Sequence, residues 1–162
     1  MTLDEQDRTV AKIVAIWPDA QVIDRRTTPS HGYRAVHIVP KIDGCLVEIQ
    51  LRTIYQDVWA QAMEMFGDLW GRDIRYGGPP HDADTLEFPD TGYTRRMTVD
   101  AWKRTSDRFH ELADMENRLA DIKSHELTDE QRLRVEGIER ETAEKFADVK
   151  ELITTLRDRF RR

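Results

Sequence analysis

The chain is expected to adopt an α+β fold, with a small antiparallel or mixed sheet backed by helices and a C-terminal antiparallel helical hairpin. Three observations predict this. Residues 32–53 alternate in polarity on either side of Asp43-Gly44, the strongest short signal for a two-residue β-turn. Residues 53–70 repeat apolar side chains at helical spacing, and residues 98–162 carry helical spacing throughout with no strand pattern.

In chain order, residues 3–17 predict a helix. Val10, Ile13, Val14 and Trp17 share one face, acidic residues crowd the first turn, and Pro18 stops the helix. Gln21-Val22-Ile23-Asp24 then reads as a short strand, and residues 25–31 as a loop rich in Thr, Pro and Ser. Asp24-Arg25-Arg26 in that loop is either a solvated charge run or a cluster able to reach a phosphate.

The Asp43-Gly44 turn fixes the register of the next two strands. Ile42 lies opposite Cys45, Val39 opposite Glu48, His37 opposite Gln50 and Ala35 opposite Arg52. Val36, Ile38, Ile49 and Leu51 then share an apolar face, on which Cys45 is expected to be buried. Tyr33, His37, Glu48, Gln50 and Arg52 share the other face. Such a row is either the wet side of a sheet or a site. The convergence of a phenol, an imidazole, a carboxylate, an amide and a guanidinium favours a site for a nucleotide. A ring would stack on a base, Arg52 would meet phosphate and Glu48 would hold a divalent cation.

Thr53 and Gln56 form a capping box that opens a helix. Tyr55, Val58, Trp59, Ala62, Met63, Phe66, Leu69 and Trp70 give it a continuous apolar stripe, expected to back the sheet. Arg75 and Tyr76 in the following tail are placed at the edge of the pocket. Residues 78–97, with Pro79, Pro80, Pro89 and Gly92, read as a linker or long surface loop separating residues 1–77 from a helical hairpin at 98–162. Its first helix is expected over about 98–124, capped at Thr98, with Trp102, Phe109, Leu112, Met115, Leu119 and Ile122 inward. Thr128 to Gln131 is a second capping box, opening a helix with Leu133, Ile138, Phe146, Leu152, Ile153, Leu156 and Phe160. Arg157, Arg159, Arg161 and Arg162 suit the negative end of that helix. Residues 98–162 hold 16 acidic and 14 basic side chains, so i,i+4 pairs worth about 0.2–0.5 kcal/mol each leave the stability to the apolar seam.

Composition narrows the function classes. The 162 residues are 39% hydrophobic and 35% charged with a net charge of −6, which disfavours wholesale binding to nucleic acid or an anionic membrane. A single cysteine excludes an internal disulfide and a cysteine zinc cage. No apolar run reaches about 18 residues and no secretory leader pattern opens the sequence, so a cytoplasmic protein is expected.

The segments Gly32-Tyr33-Arg34-Ala35-Val36-His37, Val47-Glu48-Ile49-Gln50-Leu51-Arg52-Thr53 and Trp59-Ala60 resemble the second half of the RelA/SpoT-type (p)ppGpp synthetase domain, with its G-Y-x-S-x-H and v-E-x-Q-x-R-T motifs in order. The resemblance covers roughly residues 3–77. It implies a nucleotidyltransferase-like sheet and pyrophosphate transfer from ATP to the 3′-hydroxyl of GDP or GTP. By the same resemblance, Tyr33 stacks on guanine, and Glu48 binds Mg²⁺ and activates the hydroxyl. His37, Gln50, Arg52 and Arg34 complete the nucleotide site.

The family's R-x-K-x-x-x-S run and D-x-x-G-x-R strand do not occur in these residues. Thr28-Pro29-Ser30-His31 stands where members carry Pro-Lys-x-Asn, and Met63-Glu64-Met65 where they carry a Glu-His pair. The expectation is therefore an N-terminally truncated relative, lacking the ATP-binding half and inactive alone. It would self-associate through its C-terminal helices or pair with another chain. Two alternatives stay open: a non-catalytic guanine-nucleotide-binding regulatory module, and a toxin-like pyrophosphotransferase acting on another acceptor.

Overall fold

The computed structural model describes residues 1–160. The side chains of Leu152, Ile153, Leu156, Arg157, Arg159 and Phe160, expected on the last helix, lie outside the described residues, as do Arg161 and Arg162. The fold is mixed α+β, with antiparallel sheets backed by helices and two C-terminal helices in contact. In order, the elements are α1 (Leu3–Ile16), β1 (Gln21–Asp24), β2 (Val36–Val39), β3 (Lys41–Ile42), β4 (Cys45–Leu46), β5 (Ile49–Leu51) and α2 (Ile54–Trp70). A 3-10 turn (Arg72–Tyr76), β6 (Leu86–Phe88), β7 (Tyr93–Thr94), α3 (Arg95–Lys123) and α4 (Asp129–Phe160) follow.

Three strands form the central sheet in the order β1-β2-β5. The register is the one the turn dictates: His37 faces Gln50, Ile38 faces Ile49, and at the tip Ile42 faces Cys45. Asp43 and Gly44 both take positive φ, 49° and 85°, as a type I′ turn requires. Pro40, which has no N–H to donate, separates the tip ladder β3-β4 from the main sheet, and the Val47 N–H reaches the Pro40 carbonyl at 3.0 Å without a slip in register.

Val36, Ile38 and Leu51 are buried beneath Val10 and Ile13, so the helix that backs the sheet is α1. Thr2 and Glu5 close a capping box at its start. Cys45 belongs to the same face by alternation but is exposed, contrary to expectation. The tip strands pack to any extent only on each other, and nothing covers the thiol.

The stripe of α2 does not back the sheet as expected. Val58, Trp59, Ala62, Met63, Phe66 and Trp70 are buried in a second core whose other wall is α3, through Val99, Trp102, Phe109 and Ala113. Two tryptophans lock this wall reciprocally: the Trp59 indole donates to the Trp102 carbonyl at 3.0 Å and the Trp102 indole to the Trp59 carbonyl at 3.2 Å. Residues 78–97 include the β6-β7 hairpin, tied back by Arg95, which bonds Glu87 at 2.9 Å and lies over the Trp70 ring. Helix α3 starts at Arg95, not near Thr98, because Thr94 accepts the Met97 N–H while the Thr98 hydroxyl donates inside the helix to the Thr94 carbonyl.

Lys123 pairs with Glu139, while Glu116 and Phe146 both meet Tyr55, so partners run in opposite order along α3 and α4. Val135 is buried there, but Met115, Ile122, Leu133 and Ile138, expected inward, are exposed, Leu133 by 69%.

Replacing Trp102 with Ala removes a buried indole together with its hydrogen bond to the Trp59 carbonyl. Urea unfolding of Trp102→Ala should show a loss of about 3–5 kcal/mol. A loss under about 1 kcal/mol would show that α3 is not anchored there.

Candidate functional site

Strand alternation delivers five side chains to one face, and α2 supplies the opposite wall. The result is a cleft of about 450 Å³ lined by Tyr33, His37, Glu48, Gln50 and Arg52. Across from them stand Ala60, Met63 and Glu64 of α2, with Arg75 and Tyr76 of the 3-10 turn at the rim. An adjoining depression of about 530 Å³ shares Gln50 and Arg52 but is lined by no aromatic ring or imidazole.

The five groups form one connected network. Glu48 Oε1 lies 2.5 Å from His37 Nδ1, and Glu48 Oε2 accepts from Gln50 Nε2 at 2.9 Å. A carboxylate only accepts, so His37 Nδ1 is the protonated nitrogen. In the neutral ring, Nε2 is then the acceptor, and the Tyr33 hydroxyl stands 3.0 Å from it. Arg52 donates to Gln50 Oε1 at 2.6 Å and to Tyr33 Oη at 3.2 Å, with its guanidinium carbon 5.3 Å from the centre of the Tyr33 ring. A ligand hydroxyl replacing the Tyr33 hydroxyl at Nε2 would meet a base oriented by a carboxylate.

Charge follows these contacts. Gln50 and then His37 hold the Glu48 carboxyl below the usual carboxylate range. Burial pulls Arg52 down, but Tyr33, Glu64 and Asp57 outweigh it and leave the guanidinium more firmly protonated than usual.

Arg34 is not brought to the site. It follows Tyr33 on the opposite side of the chain and is only 8% exposed. Its guanidinium bonds Ser106 Oγ at 3.2 Å, Asp107 at 2.6 Å and the Arg26 carbonyl. Ser106 in turn donates to the Gly32 carbonyl at 2.5 Å, so Arg34 fixes the loop that presents Tyr33. Gly32 has φ +92°, and a Cβ there would come within 2.7 Å of the Trp59 ring. Arg26 is likewise occupied, paired with Asp24 and Asp7 at 2.6 Å each.

Glu64 was missed by sequence reasoning, which read Met63-Glu64-Met65 only as a departure. Its position four residues after Ala60 places it on the same helical face, and its Oε1 lies 3.9 Å from Arg52. Arg75 and Tyr76 do edge the cleft, because Arg75 hooks back to the Glu64 carbonyl at 3.0 Å and to Asp68 at 2.9 Å.

The donor set does not fit Mg²⁺ well. Both Glu48 oxygens are engaged by His37 and Gln50, and no group of three His, Cys, Asp or Glu able to hold a metal ion occurs among the described residues. Nor, among those residues, is any helix long and apolar enough to cross a membrane.

Over 82 residues the chain is 40% identical to uncharacterized proteins of Mycobacterium bovis and Mycobacterium tuberculosis. The match takes in 49% of this chain and 30% of each relative, so the chain spans less than a third of the length of these relatives. No family model matches, and no solved structure matches significantly.

Because its folded-state pKa lies below the unfolded value, Glu48 contributes stability that is complete above the unfolded pKa and lost as pH falls through the folded one. Carbon NMR of the Glu48 carboxyl should give a titration midpoint below that of ordinary glutamate, moving upward in Gln50→Ala. A midpoint at the ordinary value in the wild type would show that the network does not hold the charge.

Proposed function

We propose that the cleft binds a guanine nucleotide, GDP or GTP, as the acceptor pocket of a RelA/SpoT-like domain with a nucleotidyltransferase-like sheet. The carrying observation is that five residues named from two short motifs converge on a single cleft, bonded into one network. In this reading Tyr33 stacks on the base, Gln50 and Arg52 shape the acceptor pocket, and His37 Nε2, oriented by Glu48 at Nδ1, receives a hydroxyl proton. The volume of about 450 Å³ falls within the range of small-molecule sites.

Pyrophosphate transfer needs cations and metal spanning the donor. Neither the R-x-K-x-x-x-S nor the D-x-x-G-x-R pattern occurs in these residues, so the chain alone is proposed to bind the acceptor without turning it over with ATP. Mg²⁺ stays an expectation of the resemblance, and no step is routed through it. The engagement of both Glu48 oxygens favours a second reading, a regulatory module that senses guanine nucleotide without chemistry.

Titration calorimetry should detect GDP or GTP binding, weakened about tenfold or more by Tyr33→Ala, as loss of a base–aromatic stack implies. Thin-layer assay with ATP should show no transfer by the isolated chain. Absence of any guanine-nucleotide binding would remove the proposal.

Self-association through the C-terminal helices is proposed on the exposure of Met115 and Ile122 on α3 and Leu133 and Ile138 on α4. Light scattering should report a mass above 19.0 kDa, returned to the monomer by Leu133→Glu. A wild-type monomer at high concentration would exclude it.

A further inference from the structure

The cleft has three arginines on its lining, and their existing partners set them apart. Arg52 is bonded to Gln50 and Tyr33 and lies 3.4 Å from Asp57. Arg75 is held by Asp68 and the Glu64 carbonyl. Arg25 has no acidic partner among the described residues. The neighbouring carboxylate that could have served, Asp24, is taken by Arg26 through three side-chain contacts of 2.6–3.0 Å. Asp7 of α1 is taken by Arg26 as well.

The backbone directs Arg25 inward. Its N–H donates to the Ala35 carbonyl at 3.0 Å, continuing the β1-β2 pairing one residue past Asp24 opposite Val36. Alternation then puts Arg25 on the face of His37, not that of Val36. The same register carried along β2 and β5 sets Arg52 across Ala35 from the other side. Arg25 and Arg52 thus flank one small residue in a single row. Two strand spacings separate their backbones, about 10 Å, a gap that two extended arginine side chains can close on one group. The row adjoins the one formed by His37 and Gln50, and Tyr33 lines the same cleft.

A guanidinium with no ion-pair partner among the described residues keeps its planar fork free for phosphate oxygens. We propose that Arg25 and Arg52 straddle the phosphate chain of a nucleoside di- or triphosphate, with Arg25 supplying the free positive charge that selects the polyphosphate over the bare nucleoside. This rests on the nucleotide reading above and deepens it. Arg26, one residue on, faces the other way and is spent on Asp7 and Asp24, so it makes a matched control.

The test is calorimetry on the full chain with guanosine, GDP and inorganic pyrophosphate, comparing wild type, Arg25→Gln and Arg25→Lys, each checked for folding by circular dichroism. Arg25→Gln should weaken GDP and pyrophosphate about tenfold or more and leave guanosine unchanged, with Arg25→Lys recovering part of the loss. Unchanged GDP and pyrophosphate affinity in Arg25→Gln overturns the assignment while leaving the guanine pocket intact. Equal weakening of guanosine overturns it too, since Arg25 would then act on the base or on the fold. Pyrophosphate binding that depends on Arg25, without binding of guanosine or GDP, upholds the anion site and removes the guanine reading. Binding of none of the three probes by the wild type removes both.

Discussion

The reciprocal pair of indole hydrogen bonds between Trp59 and Trp102 is the constraint on which the rest of the site depends. Each indole N–H finds its acceptor on a carbonyl of the facing helix, so α2 and α3 are fixed in both translation and rotation at one point. Gly32 then rests on the Trp59 ring where no Cβ would fit, and Ser106 of α3 holds its carbonyl. The loop presenting Tyr33 is therefore built against a helix more than seventy residues away in sequence. Removing that helix would leave the strands their register but not the cleft its shape.

On the sheet itself, the division of labour follows from alternation. Arg34 and Arg26 face away from the cleft and are consumed in joining elements: Arg34 ties the Tyr33 loop to α3, and Arg26 ties the loop after β1 to α1. Arg25 and Arg52 lie on the cleft face. Identical side chains in neighbouring positions thus serve opposite ends, and composition alone says nothing about which is which. The carboxylate of Glu48 is treated similarly, being shared between an amide and an imidazole instead of left open. A polar surface whose members already satisfy one another is preorganised, and a ligand entering it must offer at least equivalent partners.

How much of this was legible in the sequence depends on the range of the interaction concerned. Asp43-Gly44, Thr53 with Gln56, and Thr128 with Gln131 act within four residues, and each does in the fold what its spacing implies. The five cleft residues follow from the turn plus alternation. Arg34 is instructive, because the same alternation that joins Tyr33 to His37 turns its neighbour away, while the motif alone included it. Cys45 has the right parity for burial, but burial needs a covering element, and that is a fact about where α1 lies. The apolar stripe of α2 announces that a partner exists without saying whether it is sheet or helix. Glu64 had a readable helical phase but no motif to draw attention to it. Thr94 and Thr98 are both plausible caps in sequence, and only the β6-β7 hairpin leading into the helix decides between them.

The single register kept from Val36 with Leu51 to Ile42 with Cys45, across the break at Pro40, bears on how this region can change over evolutionary time. An insertion or deletion of one residue on a single arm would exchange the two faces beyond it, putting Val36 or Leu51 where His37 or Gln50 should be. Lengthening both arms together at the tip would disturb nothing below Pro40. Homologous chains should therefore vary in hairpin length only in matched steps, with the count of residues from Tyr33 to His37 and from Glu48 to Arg52 held more strictly than the identity of the apolar residues between them.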